Sequence, residues 1–458
     1  MLNEEIKKAL RTQPSWVIER AIENIKKYQE GRLITKYELK EIEPIKDEEI
    51  IHLNKFKPAE LDKLIALGQK HLEESKFAYF TMAGGISTSM GGCSKAILKA
   101  KKNLTFLEIK LNHIRYTQKK YDCKIPFILM TNEETDKSIT NFLEKENRLQ
   151  DIELIKIVQP ITIRFEEKNI NGKKELKIAK LNNESTSYAP GGHYDAFILL
   201  KEIRQELKNK GIQTIYINNI DNLGATIDPT ILGIHIKENS TFTPEIAEKY
   251  ENDKGGTFSK ISGKLKLLEG PMVPEDYKKQ FNDTKINKYF NTNLIYMSIT
   301  LLDDFDEINS QIPTFINKKI IDEKEMIGFE AAIGLIFGLK KSILINVNRQ
   351  KRFIPIKFLS DLWLLRSNYM PLNEETWAVT QITQHKPQIT INKKFISNLD
   401  EFEEKIADGG ETTNFKELQS LNWLAAEGRV GSNVTFIGNI TITEENSNIK
   451  NNEIIKKI

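Results

Sequence analysis

Apolar positions along this chain follow two spacings, which predicts that strands and helices alternate over most of its length. Short apolar runs typical of buried strands lie at 77–82, 125–130, 214–218 and 343–347, with helical patterns between them. Buried strands separated by helices favour an α/β fold with a mainly parallel sheet. Ligands of such sheets bind beyond the carboxyl ends of the strands, so candidate chemistry is sought there.

The N-terminal part, residues 1–74, has apolar residues at helical spacing. One set follows a candidate helix cap at Pro14-Ser15 and comprises Val17, Ile18, Ala21, Ile22 and Ile25. A second amphipathic stretch carries Leu61, Leu64, Ile65 and Leu67. We therefore expect an N-terminal helical segment at 1–74, followed by an α/β domain at 75–380.

The pattern changes again beyond Pro387. A helix-like stretch at 399–406 precedes the segment 430–442, which is rich in β-branched residues and Gly-Asn turns. From these residues alone, a simple hairpin is one interpretation. We assign 381–458 to a separate C-terminal domain, and we expect the polar residues 444–458 to fray.

The strand at 77–82 leads into a glycine-rich loop that ends at a lysine. The loop reads Ala83-Gly-Gly-Ile-Ser-Thr-Ser-Met-Gly-Gly-Cys-Ser-Lys95. Gly84 and Gly85 allow close approach of the backbone to a ligand, and Lys95 supplies a mobile charge for phosphate. The loop matches neither a P-loop nor the Gly-x-Gly-x-x-Gly spacing. Taken alone, it favours a tight turn beside a surface lysine over a nucleotide site.

Composition and charge exclude several classes of protein. The 458 residues allow about two or three domains. The 67 basic and 64 acidic residues nearly balance, which argues against a nucleic-acid binder with a broad basic field. The two cysteines, Cys93 and Cys123, suggest neither a disulfide scaffold nor a zinc site. With no signal-peptide core and no apolar run near the roughly 20 residues of a membrane span, we expect a cytoplasmic protein without membrane or nucleic-acid partners.

Eight blocks follow the glycine loop in a fixed order. They lie at 103–108, 121–132, 190–195, 219–224, 254–257, 267–269, 290–293 and 348–357. The last block is followed by Ser360-Asp-Leu362. Among them are Pro190-Gly-Gly-His-Tyr-Asp195 and Asn219-Ile-Asp-Asn-Leu-Gly224. In this order the series resembles the eukaryotic-type UTP–glucose-1-phosphate uridylyltransferases, also called UDP-glucose pyrophosphorylases. The resemblance covers about residues 75–370 and continues more faintly to the C-terminus.

The resemblance implies a fold. It implies an α/β nucleotidyltransferase of Rossmann-like (GT-A-like) type, with a mixed sheet. For residues 381–458 it favours a short left-handed β-helix over a hairpin. In the family this domain often forms an oligomer contact, which leaves a homo-oligomer of this chain open.

The resemblance also implies a reaction, the transfer of uridylyl from UTP to glucose 1-phosphate with release of pyrophosphate. A sugar-phosphate oxygen attacks the α-phosphorus, and because this nucleophile is already anionic it needs no general base. Catalysis should therefore rest on Mg²⁺, lysines and positioning. Two alternatives remain, namely another sugar 1-phosphate (N-acetylglucosamine or galactose type) and a non-catalytic binding protein on the same fold.

Three charged residues match the groups that this chemistry needs. Lys95 matches the family's phosphate-loop lysine, which is expected to contact the UTP phosphates and the departing pyrophosphate. Lys357, in Phe353-Ile-Pro-Ile-Lys357, matches the lysine that bridges the reacting phosphates. Asp221 follows the strand at 214–218, where a hard carboxylate suits Mg²⁺. Without the resemblance, each would be an ordinary surface lysine or a turn aspartate.

Other positions are implied by the resemblance alone. Those for the nucleotide are Ala83, Gly84, Gly85, Met130, Gln159, Gly191 and Gly192, of which Met130 and Gln159 frame and hydrogen-bond the uracil. Those for the sugar phosphate are His193, Asn219, Gly256, Thr257, Glu269, Asn291 and Asn293. His193 is expected to hydrogen-bond the substrate, since phosphate attack needs no general base; the alternatives are a structural histidine and a role in acid–base catalysis.

The sequence departs from the family pattern at four places. Ser87 replaces the third glycine of the loop, and Cys93-Ser94 replaces a usual Gly-Pro. The turn at 190–193 has one extra glycine, and Leu294 stands where a second asparagine is usual. We expect Ser87 to restrict a backbone position that has an unusual φ in the family.

Overall fold

The computed structural model describes residues 2–33, 37–87, 90–145, 148–170, 173–251, 253, 255–383 and 386–457. A mixed sheet of eight strands forms its centre. Numbered in chain order, they are β1 Ile51–His52, β2 Phe77–Met82, β3 Phe127–Asn132, β4 Leu154–Gln159, β5 Thr214–Asn219, β6 Phe242–Glu248, β7 Tyr289–Ser298 and β8 Ile345–Asn346. Their order in the sheet is β1-β8-β6-β7-β5-β2-β3-β4. Of these eight, β7 alone runs antiparallel to its neighbours, so the predicted mainly parallel α/β sheet is confirmed.

The centre of the sheet is buried on both faces. Every residue of β2 and β3 is buried, which explains why both strands are nearly continuous apolar runs. The strand predicted at 125–130 begins two residues later, at Phe127. Pro126 precedes it, and proline has no N–H to donate to a ladder.

Helices cover both faces. The described α-helices are Leu2–Ala9, Ser15–Gln29, Pro58–Glu73, Phe106–Tyr121, Asp136–Glu144, Asp195–Glu202, Arg204–Asn209, Pro229–Lys237, Lys278–Asn282, Phe305–Gln311, Arg349–Arg352, Leu359–Arg366 and Leu399–Lys405. The helices expected from the apolar spacing near Val17 and Leu64 are therefore present. Within the described ranges, no helix combines the length and apolar composition of a transmembrane span.

The N-terminal segment is mainly helical, as predicted, and it also supplies two short strands. Strand β1 pairs with β8 at one edge of the central sheet, and Ile42–Pro44 pairs with Thr257–Ile261. Strands of two or three residues are too short to show an alternating pattern, so hydrophobic spacing did not reveal them.

Smaller sheets flank the central one. A four-stranded sheet has the order Lys173–Ile178, Phe165–Ile170, Lys324–Glu330 and Phe315–Ile321. The first two helices pack on it through a core that includes Ile6, Val17 and Phe329. The remaining flanking strands are Ile42–Pro44 with Thr257–Ile261 and Lys264–Leu268, Ile161–Ile163 with Tyr188–Pro190, Ile86–Ser87 with Cys93–Ser94, and Lys99–Lys101 with Leu104–Thr105.

The C-terminal part is a stack of parallel strands. Gln388–Ile391, Asn414–Trp423, Thr435–Ile442 and Ile454–Lys457 form one parallel sheet, and Arg429–Val430 pairs in parallel with Asn448–Ile449. Because neighbouring strands run parallel, the hairpin interpretation is wrong and the stacking is that of a β-helix. The expected fraying of 444–458 is also wrong. Ile449 is 6% exposed and the last strand pairs with Thr435–Ile442.

Two helices touch through their backbones. A Cβ built on Gly68 would overlap the Pro229 carbonyl oxygen, and one built on Gly233 would overlap the Leu64 carbonyl oxygen. Glycine at both positions thus lets helix Pro58–Glu73 lie directly on Pro229–Lys237.

We predict that Gly68→Ala lowers the free energy of unfolding by about 1–3 kcal/mol, the usual cost of overpacking. Gly270→Ala is the control, because a Cβ there has no neighbour within 4 Å. Denaturant unfolding measures both. Equal stability of the two variants would show that the helices do not pack this closely.

Candidate active site

The carboxyl ends of four central strands are in register. Met82 of β2 lies beside both Asn219 of β5 and Met130 of β3, and Asn132 of β3 lies beside Gln159 of β4. Segments that follow these strands therefore start along one edge of the sheet. This edge is where ligands bind in open parallel sheets, and most of the predicted site residues lie along it.

The glycine loop starts as an extension of β2. The Ala83 N–H donates to the Met130 carbonyl at 2.7 Å, and the Gly84 carbonyl accepts from Asn132 Nδ2 at 2.7 Å. Strand Ile86–Ser87 then pairs with Cys93–Ser94, which returns the chain to Gly85. Gly85, with an exposed backbone and open space around it, remains accessible to a ligand.

The expectation for Ser87 is wrong in this structure. Ser87 lies in an extended strand, and its φ is not positive. Positive φ values occur instead at Gly91 (95°) and Gly92 (79°), where glycine is present. A serine in place of the third glycine therefore imposes no backbone strain here.

An ion pair lies at the point where the charged candidates meet. Lys95 Nζ is 2.8 Å from Asp221 Oδ2 and also donates to the Ile356 carbonyl at 3.1 Å. The Ile356 N–H in turn donates to the Asp221 carbonyl at 3.1 Å. Lys357 follows directly, is exposed, and lines a cavity of about 680 Å³. Lys95 and Asp221 are thus bonded directly to the residue that precedes Lys357.

The loop after β5 is fastened to the segment that carries Lys357. The Asn222 side chain accepts from the Ile354 N–H at 2.9 Å and donates to the Arg352 carbonyl at 3.0 Å. Asn222 also forms a β-bridge with Pro355. The main chain around Lys357 is therefore held against the loop of Asp221.

Asp221 is the candidate metal ligand of this cluster. Among the described residues, no group of three His, Cys, Asp or Glu side chains is arranged to hold a metal. Magnesium is usually held by one or two carboxylates together with substrate phosphates. Asp221 fits that kind of site, in which the phosphates complete the coordination.

The turn at 191–195 is locked to neighbouring chain. Gln159 Nε2 donates to the Gly192 carbonyl at 2.8 Å and to Asp195 Oδ2 at 3.0 Å. Gly192 has a φ of 95°, and a Cβ there would overlap the Ala331 carbonyl oxygen. The extra glycine of this turn therefore fills a position that excludes a side chain.

His193 is held as a neutral imidazole. Its Nδ1 accepts from the Ile333 N–H at 3.1 Å, so the ring proton lies on Nε2. Desolvation lowers the pKa of His193 to about 4, against a weaker opposing effect of Asp195. No described residue pairs with Nε2. The ring therefore presents an N–H donor and is not poised as a base.

Three asparagines form one wall of the predicted sugar pocket. Asn293 Nδ2 donates to Asn219 Oδ1 at 3.3 Å, and the Asn293 N–H donates to Asn291 Oδ1 at 3.2 Å. Asn293 lies at a bulge of β7 with a φ of 61°. Its Oδ1 is buried without a partner among the described residues. An unpaired buried acceptor is costly, and a ligand hydroxyl would satisfy it.

Glu269 and Gly256 form the adjacent wall. A Cβ on Gly256 would lie 3.0 Å from Glu269 Oε1, so glycine leaves room for the carboxyl group. Desolvation, and then the nearby Glu330, raise the pKa of Glu269 to about 7. Near neutral pH this carboxyl group is available both as a donor and as an acceptor of hydrogen bonds.

Two predicted ligands have side chains committed elsewhere. Thr257 is 1% exposed, and its hydroxyl donates to the Tyr289 carbonyl at 2.6 Å. Met130 is 2% exposed and packs in the hydrophobic core with Met82 and Ile157. The structure gives Thr257 an anchoring contact with β7 and Met130 a place in the core below the edge.

One residue of the site was missed. Arg20, on helix Ser15–Gln29, is 2.6 Å from Asp195 Oδ1, and the Asp195 side chain is 0% exposed. The guanidinium also lies where a Cβ on Gly191 would be. The N-terminal helix therefore supplies the counter-charge beneath the turn. No local signal marked Arg20, because its partner is 175 residues away.

An accessible glycine loop, Lys95, Asp221 and the segment of Lys357 follow the strands of a mixed sheet, an arrangement that fits a nucleotidyltransferase. The family model described as UTP–glucose-1-phosphate uridylyltransferase matches residues 22–441. The chain belongs to this family.

Two similar proteins have names that match the description of this family. UTP–glucose-1-phosphate uridylyltransferase 2 of Dictyostelium discoideum is 28% identical over 412 residues, covering 86% of this chain and 80% of the relative. UTP–glucose-1-phosphate uridylyltransferase of Solanum tuberosum is 27% identical over 402 residues, covering 83% and 80%.

Solved structures share the fold. UDP-glucose phosphorylase of Trypanosoma brucei superposes with a TM-score of 0.78 at 23% identity, covering 98% of each chain. UDP-glucose pyrophosphorylase of Leishmania major superposes with a TM-score of 0.78 at 21% identity, covering 100% of this chain and 97% of that one. These likenesses confirm the predicted fold class.

We predict that His193→Gln leaves the shape of the pH–rate profile unchanged between pH 5 and 8. With a pKa of about 4, the native imidazole stays neutral over that range, so no titration of His193 is lost. KM for the sugar phosphate should rise, because an N–H donor is replaced. A limb near pH 6.5 that is present in the native protein and absent from the variant would instead identify a general base.

We predict that Arg20→Met lowers the free energy of unfolding by about 3–5 kcal/mol, because it leaves the buried Asp195 charge unpaired. Adding Asp195→Asn should recover much of that loss. Lys27→Met is the control on the same helix, since Lys27 pairs with Glu23 at the surface and such pairs contribute about 1 kcal/mol or less. Denaturant unfolding compares the variants. An Arg20→Met effect as small as that of Lys27→Met would contradict the buried pair.

Proposed function

We propose that this protein catalyses the transfer of uridylyl from UTP to glucose 1-phosphate, which forms UDP-glucose and pyrophosphate. The observation that carries the proposal is the constellation of Lys95, Asp221 and the Lys357 segment beside an open glycine loop. It lies at the ligand-binding edge of a chain that belongs to the family over residues 22–441.

The reaction is an in-line displacement. An oxygen of the sugar phosphate forms a bond to the α-phosphorus of UTP, and the bond from that phosphorus to the bridging oxygen breaks. Pyrophosphate leaves with the electron pair of the broken bond. The attacking oxygen is already anionic, so the chain has to bring two polyanions together and neutralise them. This agrees with a neutral, donor-only His193.

The residues of the ion pair exchange partners when substrate binds. Lys95 and Asp221 neutralise each other, with 2.8 Å between Nζ and Oδ2. A bound triphosphate offers Lys95 a stronger set of anionic acceptors, which leaves the Asp221 carboxylate for Mg²⁺. When bound, Mg²⁺ would neutralise charge on the reacting phosphates. Lys357 binds the phosphates from the opposite segment.

The remaining residues orient the two substrates. The backbone of Ala83, Gly84 and Gly85 approaches the nucleotide, and Gln159 is held by Gly192 and Asp195 at the uracil side. On the sugar side, His193 offers a donor and Asn293 an unpaired acceptor. Near neutral pH, the Glu269 carboxyl group can either donate or accept a hydrogen bond. A sugar hydroxyl both donates and accepts, which matches this mixture of groups. A cytoplasmic location and a homo-oligomer remain predictions.

Pyrophosphate release measures the activity directly. The purified protein is incubated with UTP, Mg²⁺ and, separately, the 1-phosphates of glucose, galactose and N-acetylglucosamine. We expect glucose 1-phosphate to give the highest kcat/KM. A higher kcat/KM with another sugar 1-phosphate would identify that compound as the preferred substrate. No pyrophosphate release with any of them would indicate a non-catalytic binding protein.

We predict that Lys95→Met and Asp221→Asn each lower kcat by about 10²–10³, the order expected for losing one preorganised charge. Lys99→Met is the control, because Lys99 is an exposed lysine four residues after Lys95, at the start of strand Lys99–Lys101. UTP affinity should fall little in Asp221→Asn, since the base is held elsewhere. Near-native rates in both variants would remove this constellation from the mechanism.

A further inference from the structure

The helix that follows Lys357 begins with a carboxylate directed at the Lys357 main chain. Asp361, the third residue of helix Leu359–Arg366, accepts through Oδ2 from the Lys357 N–H at 2.9 Å and from the Phe358 N–H at 3.0 Å. Amides at the start of a helix have no partner within the helix, and a carboxylate there is favoured by the helix dipole. Asp361 thus fixes the backbone direction from which the Lys357 side chain leaves.

The other oxygen of the same carboxylate is held by a second lysine. Lys386 Nζ is 2.6 Å from Asp361 Oδ1, and the side chains of Asp361 and Lys386 are 11% and 33% exposed. Lys386 lies two residues before Gln388–Ile391, the first strand of the C-terminal sheet. The pair therefore connects the Lys357 segment to the chain that enters the C-terminal domain.

The far end of this helix is also fixed. Lys101 Nζ donates to the carbonyls of Leu365, Arg366 and Ser367 at 2.6, 2.9 and 2.7 Å. Between its two ends, the helix carries Trp363, which packs edge-on against Trp423 of the C-terminal sheet. Contacts at both ends fix the position of this helix. Its first turn, which carries Asp361, therefore holds the Lys357 amide in a fixed place.

Lys357, Asp361 and Lys386 line the same cavity of about 680 Å³. Both carboxylate oxygens of Asp361 contact protein groups. These contacts indicate that Asp361 acts by positioning Lys357. The charge of Asp361 is balanced by Lys386.

We propose that Asp361 and Lys386 are positioning residues for Lys357, which couple the reacting phosphates to the junction with the C-terminal domain. This inference rests on the proposed function, because it takes Lys357 as the residue that contacts those phosphates. Neither Asp361 nor Lys386 touches substrate in this proposal.

A double-mutant cycle tests the coupling. Lys357→Ala, Asp361→Ala and the double variant are compared in kcat for pyrophosphate release. We expect Asp361→Ala to lower kcat by about 10–10²-fold, the order expected for misplacing a catalytic group, with little change in KM for UTP. In the Lys357→Ala background, Asp361→Ala should change kcat by less than about twofold, because the two residues act as one unit. Lys386→Met should show the same dependence with a smaller effect.

Glu401→Ala is the matched control. Glu401 is the third residue of helix Leu399–Lys405 and accepts from the Ser397 N–H at 2.7 Å, so it makes a similar contact on a helix without a catalytic lysine. It should lower the melting temperature without changing kcat. If Asp361→Ala does not fold, Asp361→Asn, which keeps the shape and loses the charge, takes its place in the cycle.

Three results would overturn the proposal. An unchanged kcat in Asp361→Ala would make Asp361 a structural cap like Glu401. An equal loss of kcat in the presence and absence of Lys357 would show that Asp361 acts independently of it. A native kcat in Lys357→Ala would remove Lys357 from the mechanism, which is a failure of the proposed function and is distinct from the first two.

Discussion

The ion pair between Lys95 and Asp221 is the interaction on which the site depends. It joins the return strand of the glycine loop to the end of β5, and through the Ile356 carbonyl it also holds the segment before Lys357. The two side chains are only 13% and 15% exposed, so either charge alone would be costly to desolvate. Each neutralises the other. The same contact thus joins the two segments, and in the proposed reaction it is the place where charge is exchanged.

A second buried pair organises the turn at 191–195. Asp195, which is fully buried, holds Gln159 through one oxygen and Arg20 through the other. Helix Ser15–Gln29 thereby becomes part of the site through Arg20, although it lies outside the strand edge itself. Beside Lys357, Asp361 accepts from the Lys357 N–H through one oxygen and pairs with Lys386 through the other. The first two carboxylates, Asp221 and Asp195, link segments that are 126 and 175 residues apart, whereas Asp361 links partners only 4 and 25 residues away.

Much of this arrangement could be predicted from the sequence, and the exceptions have physical causes. Strands such as β2 were predictable because burial on both faces requires continuous apolar runs, and the ordered blocks identified the family. The β1 strand is too short to show a period, and the C-terminal tail looked polar because few of its residues, such as Ile449, face the core. Arg20 was not predictable, since its role depends on a tertiary contact. Thr257 belonged to a matched block, yet its hydroxyl is used by the Tyr289 carbonyl, a choice that only packing determines.

In the proposed reaction, Lys95 exchanges Asp221 for phosphate when the nucleotide binds. A crystal structure of the protein with Mg²⁺ and a non-hydrolysable UTP analogue would test this exchange most directly. We expect Lys95 Nζ to lie within hydrogen-bond distance of a phosphate oxygen, and the Asp221 carboxylate, now separated from Lys95, to coordinate the metal. A complex in which Lys95 remains paired with Asp221 while the phosphates bind elsewhere would contradict the exchange.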